Sequence, residues 1–172
     1  MSRLPLFEYR RQQVFETPLQ QVFAFFERAE LLAEVTPPVL DFRLLTPAPV
    51  HMQQGRVIDY TIRRLGLRWR WRTLISEYRP PVCFVDEQLL GPYAYWRHEH
   101  LFEEIDAGTR MTDRVLYALP NWLPDRLAPW LERLYVRPQL DNIFDYRERR
   151  FRALIDAPGD LRHTPGEQSR TL

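Results

Sequence analysis

Apolar and polar residues alternate with a two-residue period in several stretches of the chain, and helical spacing appears toward its two ends. The clearest alternation runs from Arg68 to Tyr78, with Trp69, Trp71, Thr73 and Ile75 on one face and Arg68, Arg70 and Arg72 on the other. Successive side chains of a strand point to opposite faces, so this stretch predicts a half-buried strand. Tyr93 to Phe102 alternates too: Trp96, His98, His100 and Phe102 share one face, and Tyr93, Tyr95, Arg97, Glu99 and Leu101 the other. Cys83 to Leu89 is rich in β-formers and is joined to that stretch by the turn signal Gly91-Pro92. Further strands are predicted over Leu6–Phe15, Val39–Leu45, Arg56–Leu65 and Thr109–Ala118, the last placing Met111, Asp113, Val115 and Tyr117 together.

Helical spacing begins after Thr17-Pro18, where Thr17 can cap and Pro18 suits the first helical position. Leu19, Val22, Phe23 and Phe26 then form one apolar face. A second short helix is expected over Leu31–Val35, stopped by Pro37-Pro38. From Asp125 to about Ile155 the period is helical again, with an apolar stripe of Leu127, Leu131, Leu134, Leu140, Phe144 and Phe151. Pro138 lies inside it and predicts a kink or break hinged at Val136 or Arg137. The order is strand, two short helices, six strands, long helix. This predicts an α+β fold in which a curved seven-stranded antiparallel sheet wraps the long C-terminal helix, with a cavity between them. Residues 1–155 are read as one domain and residues 156–172, polar and turn-rich, as a disordered tail.

Composition narrows the function classes. The 172 residues carry 24 basic against 23 acidic groups, a net charge of +1, which gives no reason to expect nucleic acid or an anionic membrane as partner. Every basic residue is arginine, so Schiff-base chemistry through a lysine is excluded. The single cysteine, Cys83, excludes an internal disulfide and a cysteine-based zinc cluster, and no basic neighbour or helix terminus marks it as a nucleophile. No apolar run is long enough to span a bilayer and the first residues lack a signal-peptide core, so a cytoplasmic protein without stable membrane insertion is expected.

The alternation selects an inward-facing set: Tyr60, Trp69, Trp71, Trp96, His98, His100, Phe102, Asp113 and Tyr117. A mostly aromatic wall with few polar groups suits a small-molecule pocket. Asp86 and Gln88 share one face of their strand and Glu87 the other, and the flanking apolar residues slightly favour Glu87 inside. His98 and His100, two apart on one strand, could join Asp113 or Glu87 at a metal, but cross-strand hydrogen bonding explains such histidines more simply, so no metal or cofactor is expected. His51 and His163 are read as solvated.

The element order, with a set of short motifs, resembles the START-like (SRPBCC, helix-grip) superfamily that includes the birch-pollen allergen group and polyketide cyclases. The motifs are Thr36-Pro37-Pro38, Gly55 with Ile58-Asp59-Tyr60, Trp71 with Thr73 and Ile75, and Tyr78-Arg79-Pro80-Pro81. Also matching are Phe84-Val85-Asp86-Glu87-Gln88, Gly91-Pro92-Tyr93, Trp96-Arg97-His98-Glu99-His100, and Thr112-Asp113 with Val115 and Tyr117. Ile143-Phe144 and Tyr146-Arg147 complete the likeness, which spans residues 5 to 154 and is closest to an uncharacterised bacterial branch. The resemblance implies a hydrophobic ligand pocket beneath the long helix and supplies no catalytic residue set. Members of that branch occur fused to or beside an epimerase of the short-chain dehydrogenase type, which implies such a partner.

The function expected is binding of a small hydrophobic or aromatic molecule, with His98, His100, Asp113 and Glu87 orienting a polar end. One alternative is a cyclase or dehydratase using a His98 or His100 base with a carboxylate partner; another is an interaction module for the epimerase. Aromatic residues make up 13% of the chain, enough that they could fill the cavity themselves.

Overall fold

In the computed structural model, residues 5–64 and 66–155 are described; the expected tail at 156–172 lies outside them. The chain opens with strand β1 (Phe7–Phe15) and helix α1 (Leu19–Phe26), followed by single 3-10 turns at Ala29–Ala33 and Pro38–Leu40. Six strands follow: β2 (Arg43–Leu44), β3 (Val57–Arg64), β4 (Leu67–Arg79), β5 (Cys83–Leu90), β6 (Tyr95–Ile105) and β7 (Gly108–Ala118). They form one antiparallel sheet in the order β1-β7-β6-β5-β4-β3-β2, curved around the C-terminal helix. Among the described residues, no helix is long and apolar enough to cross a membrane.

The sheet curves where its ladder is interrupted. The β4–β5 register shifts between Arg72 and Thr73 and again between Ile75 and Glu77, and each irregularity bends and twists the strand that carries it. Gly108 fixes the β6–β7 hairpin: its φ is +118°, and a Cβ there would lie 2.2 Å from the Phe15 carbonyl oxygen.

Three expectations about local structure change. The second helix is a 3-10 turn, and the strand expected over Val39–Leu45 shrinks to Arg43–Leu44. Pro37 and Pro38 hold the backbone in a turn there, and Asp41 then adopts a left-handed φ of 40° that ends any extended run. At α1, Pro18 itself occupies the cap position, and Thr17 instead offers its carbonyl oxygen to the Thr109 hydroxyl at 2.7 Å.

The long helix comprises α2 (Ala128–Leu131), a π turn (Glu132–Val136) and α3 (Arg137–Ile155). The break expected near Pro138 takes this form, immediately before the proline. The π turn also changes which residues face the sheet. Ala128, Glu132, Val136, Leu140, Phe144 and Phe151 are buried, whereas Leu127, Leu131 and Leu134 are exposed. At 3.6 residues per turn, a series at every fourth position drifts by about 40° per step; a wider π turn takes that drift back. Glu132 thereby keeps the inward position that the leucine stripe was expected to hold.

Apolar side chains gather in three clusters, one of them around Ala29, Val50, Ile58 and Ile75. At one end α1 closes the sheet, with Phe23 packed on Phe102 at 5.2 Å between ring centroids and Phe26 on Phe102 at 5.5 Å. Beneath α3, Tyr9, Val115, Leu140 and Phe144 form a second cluster. Between them a cavity remains.

Candidate functional site

The cavity has a volume of about 190 Å³, a little more than the roughly 150 Å³ that accommodates benzene in a dry protein interior. Its own aromatic side chains therefore do not fill it. One wall is apolar: Tyr60 stacks on Trp71 with an interplanar angle of 13°, and Trp96 meets Trp71 edge-on at 5.3 Å. The helix contributes Leu140, Ile143, Phe144 and Arg147. Trp71 Nε1 and Arg147 Nε are buried donors with no hydrogen-bond partner among the described residues.

The polar end is built by three neighbouring strands. Strand β6 turns His98 and His100 inward, and the register sets Asp86 of β5 opposite His98 and Asp113 of β7 opposite His100. The four side chains close into a ring of contacts. His98 Nε2 lies 2.9 Å and His100 Nδ1 3.1 Å from Asp113 Oδ1. On the other side, His100 Nε2 lies 3.2 Å and His98 Nδ1 3.4 Å from Asp86 Oδ2. The two imidazoles sit 3.8 Å apart between the carboxylates. Asp113 is 0% exposed, so this is a charged cluster in the protein interior.

A buried charge is tolerated only when it is paired, and the pairing sets the protonation states. Burial pushes the Asp113 carboxyl up, but hydrogen bonds from His100 and His98 outweigh it and hold the group well below the usual carboxylate range. Asp86 is lowered in the same way, burial being outweighed by the His100 hydrogen bond and the nearby imidazoles. The histidines diverge. Burial and the neighbouring His100 lower His98, while for His100 the bonds to Asp113 and Asp86 overcome burial and raise it. One ring thus favours the imidazolium and the other the neutral base.

Of the expected inward set, Tyr60, Trp71, Trp96, His98 and His100 line the cavity. Trp69 does not: it has the predicted parity but is 38% exposed, because β5 pairs with β4 only as far as Arg72–Leu90 and the β3–β4 hairpin runs on beyond it. Phe102 is sealed under α1. Tyr117 is fully buried and donates its hydroxyl to Glu132 Oε1 at 2.8 Å, which ties the sheet to the π turn rather than facing the cavity. Asp113 lies behind the histidines and touches the cavity only through them.

Glu87 is corrected outright. It faces outward, accepting a bond from the Ser76 hydroxyl at 2.9 Å and pairing with Arg97, and Asp86 takes the inward place where the two histidines satisfy it. Arg147, Arg64 and Tyr93 also line the cavity, Arg64 Nη1 donating to the Tyr93 hydroxyl at 2.9 Å. Arg147 was legible as the charged residue within the helical series Leu140, Phe144, Phe151. Tyr93 precedes β6, so strand parity does not apply to it.

Asp86, His98 and His100 each offer one ligand atom within 4.8 Å of the others, the single such group able to hold a metal ion among the described residues.

The comparisons with known proteins agree with this architecture. The sequence profile of the family described as polyketide cyclase / dehydrase and lipid transport matches residues 15–144. Among solved structures, protein CV1439 from Chromobacterium violaceum superposes with a TM-score of 0.64 at 13% identity, over 87% of this chain and 97% of that one. The di-domain ARO/CYC StfQ from the steffimycin biosynthetic pathway gives 0.64 at 10% identity, over 88% of this chain and 53% of that one. Ara h 8.0201 gives 0.56 at 13% identity, over 89% and 100%. At such identities the likeness establishes the helix-grip fold alone. No curated protein sequence matches the chain.

Proposed function

Because the chain belongs to the polyketide cyclase / dehydrase and lipid transport family, we propose that it binds a small, largely aromatic molecule between its sheet and α3. The molecule carries one polar group. The observation that carries this reading is a cavity lined mostly by aromatic and aliphatic side chains with one compact buried polar cluster in its wall. Tyr60, Trp71, Trp96 and Phe144 supply flat apolar walls, which reward ring-shaped ligands through area burial and offset stacking. Asp86, His98, His100 and Arg147 supply the polar groups, and two buried donors lining the cavity, Arg147 Nε and Trp71 Nε1, lack partners among the described residues. An oxygen on the ligand, as phenol, ketone or carboxylate, satisfies them. The volume suits one or two rings. Titrating the protein with monocyclic and bicyclic phenols and aromatic acids, while following tryptophan fluorescence, tests this. Saturable quenching by at least one ring class that is lost in Trp96→Ala supports the reading; no saturable quenching removes it.

A second reading, catalysis of a cyclisation or dehydration, is favoured by the unequal histidines. His98 tends to the neutral base and His100 to the acid, side by side at the cavity wall. Such a pair can take a proton from one position of a bound molecule and return one to another. Turnover abolished by His98→Ala, with binding retained, separates this reading from binding alone. The epimerase partner rests on the resemblance only, and no feature of the described surface favours it.

A further inference from the structure

We propose that Asp86, His98 and His100 form a mononuclear zinc site whose open fourth position faces the cavity. Three features of the cluster point to it. The first is the orientation of the imidazoles. Asp113 Oδ1 stands 2.9 Å from His98 Nε2 and 3.1 Å from His100 Nδ1. His100 Nδ1 makes no hydrogen bond there, but His98 Nε2 donates to this fully buried carboxylate. This is how outer carboxylates orient metal-binding histidines and fix their tautomers.

The second feature is what that leaves over. With Nε2 of His98 carrying its hydrogen toward Asp113, the opposite nitrogen of that neutral ring presents a lone pair. That nitrogen, His98 Nδ1, confronts Asp86 Oδ2 at 3.4 Å, while His100 Nε2 hydrogen-bonds the same oxygen at 3.2 Å. A ring lone pair set against a carboxylate oxygen is repelled unless a cation lies between them. The His100 proton bridges only one of the two contacts. A divalent ion answers all three donors at once.

The third feature is the spacing. Zinc bonds of about 2.0–2.2 Å in tetrahedral geometry separate neighbouring donor atoms by roughly 3.3–3.6 Å. The two nitrogen-to-oxygen edges, 3.2 and 3.4 Å, lie at that scale. All three donors fall within 4.8 Å of one another, so binding needs only a small approach of the two rings. Two imidazoles and one carboxylate, with one position left for water or substrate, make a catalytic rather than a structural donor set. Asp86, His98 and His100 all line the cavity, which places that fourth position toward a bound molecule. Arg147, reaching the cavity from α3, disfavours a bare cation but complements an anionic oxygen bound to it.

The site does not depend on the ligand reading, since a metal can bind with the cavity empty. The test uses untagged protein stripped with chelator and titrated calorimetrically with zinc chloride, and with cobalt(II) chloride followed by visible absorption. One zinc per chain is expected, with an intense four-coordinate cobalt band. Asp86→Asn and His100→Ala abolish both signals, and Asp113→Asn weakens binding about 10–100-fold. Glu87→Gln leaves binding unchanged. Asp86→Asn is close to isosteric, and its far-ultraviolet circular dichroism checks that it folds. No stoichiometric zinc binding to the stripped wild-type protein overturns the proposal. So does binding that survives Asp86→Asn and His100→Ala, which assigns the metal to other histidines.

Discussion

Asp86 of β5 stands directly across the ladder from His98 of β6, and its Oδ2 also lies 3.2 Å from His100 Nε2. One carboxylate therefore meets both histidines, while its sequence neighbour Glu87 pairs with Ser76 and Arg97 on the outer surface. The two acids predict opposite mutational outcomes. Asp86→Ala leaves buried ring nitrogens without a partner and costs about 1–3 kcal/mol. Glu87→Gln shifts stability by less than about 0.5 kcal/mol, as surface changes usually do. Urea midpoints of the two variants check this, and similar losses in both would contradict it.

Acid sensitivity follows from the same cluster. Asp113 and Asp86 bind their protons more weakly in the folded chain than an ordinary carboxylate does. A depressed carboxyl contributes stability above its unfolded value of about 3.9, and that contribution is lost as pH falls through the folded value. His98 shifts down and His100 up, so their effects oppose each other near neutrality and the carboxylates dominate the acid limb. In metal-free protein, stability falls more steeply from about pH 5 to about pH 3 in the wild type than in Asp113→Asn. Parallel acid limbs would remove the assignment.

Tyr117 and Glu132 make the polar link between β7 and the π turn. The Tyr117 hydroxyl donates to Glu132 Oε1 at 2.8 Å, and Arg137 Nε reaches the same oxygen at 2.9 Å. Tyr117→Phe removes one of two donors from a buried carboxylate and costs about 1–3 kcal/mol. Adding Glu132→Leu restores part of the loss, because a buried acid and its partner can be replaced together by apolar groups at little cost. Urea denaturation of the single and double variants provides the comparison; a double variant less stable than Tyr117→Phe alone would contradict it.

The tryptophans separate cavity wall from surface. Trp71 and Trp96 line the cavity and Trp69 does not. Trp96→Ala weakens binding of an aromatic ligand about tenfold or more, equivalent to about 1.4 kcal/mol. Trp69→Ala leaves affinity within about twofold, less than about 0.4 kcal/mol. Fluorescence titration of both variants with one ligand decides between them. Equal losses would place the binding site elsewhere.

Strand parity carried most of the site. It set Trp96, His98 and His100 on one face of β6 and Asp113 among the inward residues of β7, and both placements hold. Parity failed on β5 because Cys83, Phe84 and Val85 are all buried. Both faces of the strand are covered at that end, so apolar residues no longer mark which side is inside. Trp69 shows a different limit: alternation gives a face, but not where the neighbouring strand stops. On the helix, Leu127, Leu131 and Leu134 satisfy the helical period and yet are exposed. A π turn shifts the phase within the pattern, and a buried Glu132 with a tyrosine partner disguises the true inward face. Arg147 was visible as a charge in an apolar stripe, but its contribution to the cavity needed the sheet opposite.

Native mass spectrometry of the protein purified from its own cells, followed by release and identification of bound mass on unfolding, tests ligand binding in the cavity most directly. The account predicts a stoichiometric organic molecule of one or two rings bearing an oxygen group, absent from Trp96→Ala protein prepared identically. A released molecule retained equally by Trp96→Ala, or a long flexible lipid in place of a compact ring system, would contradict it.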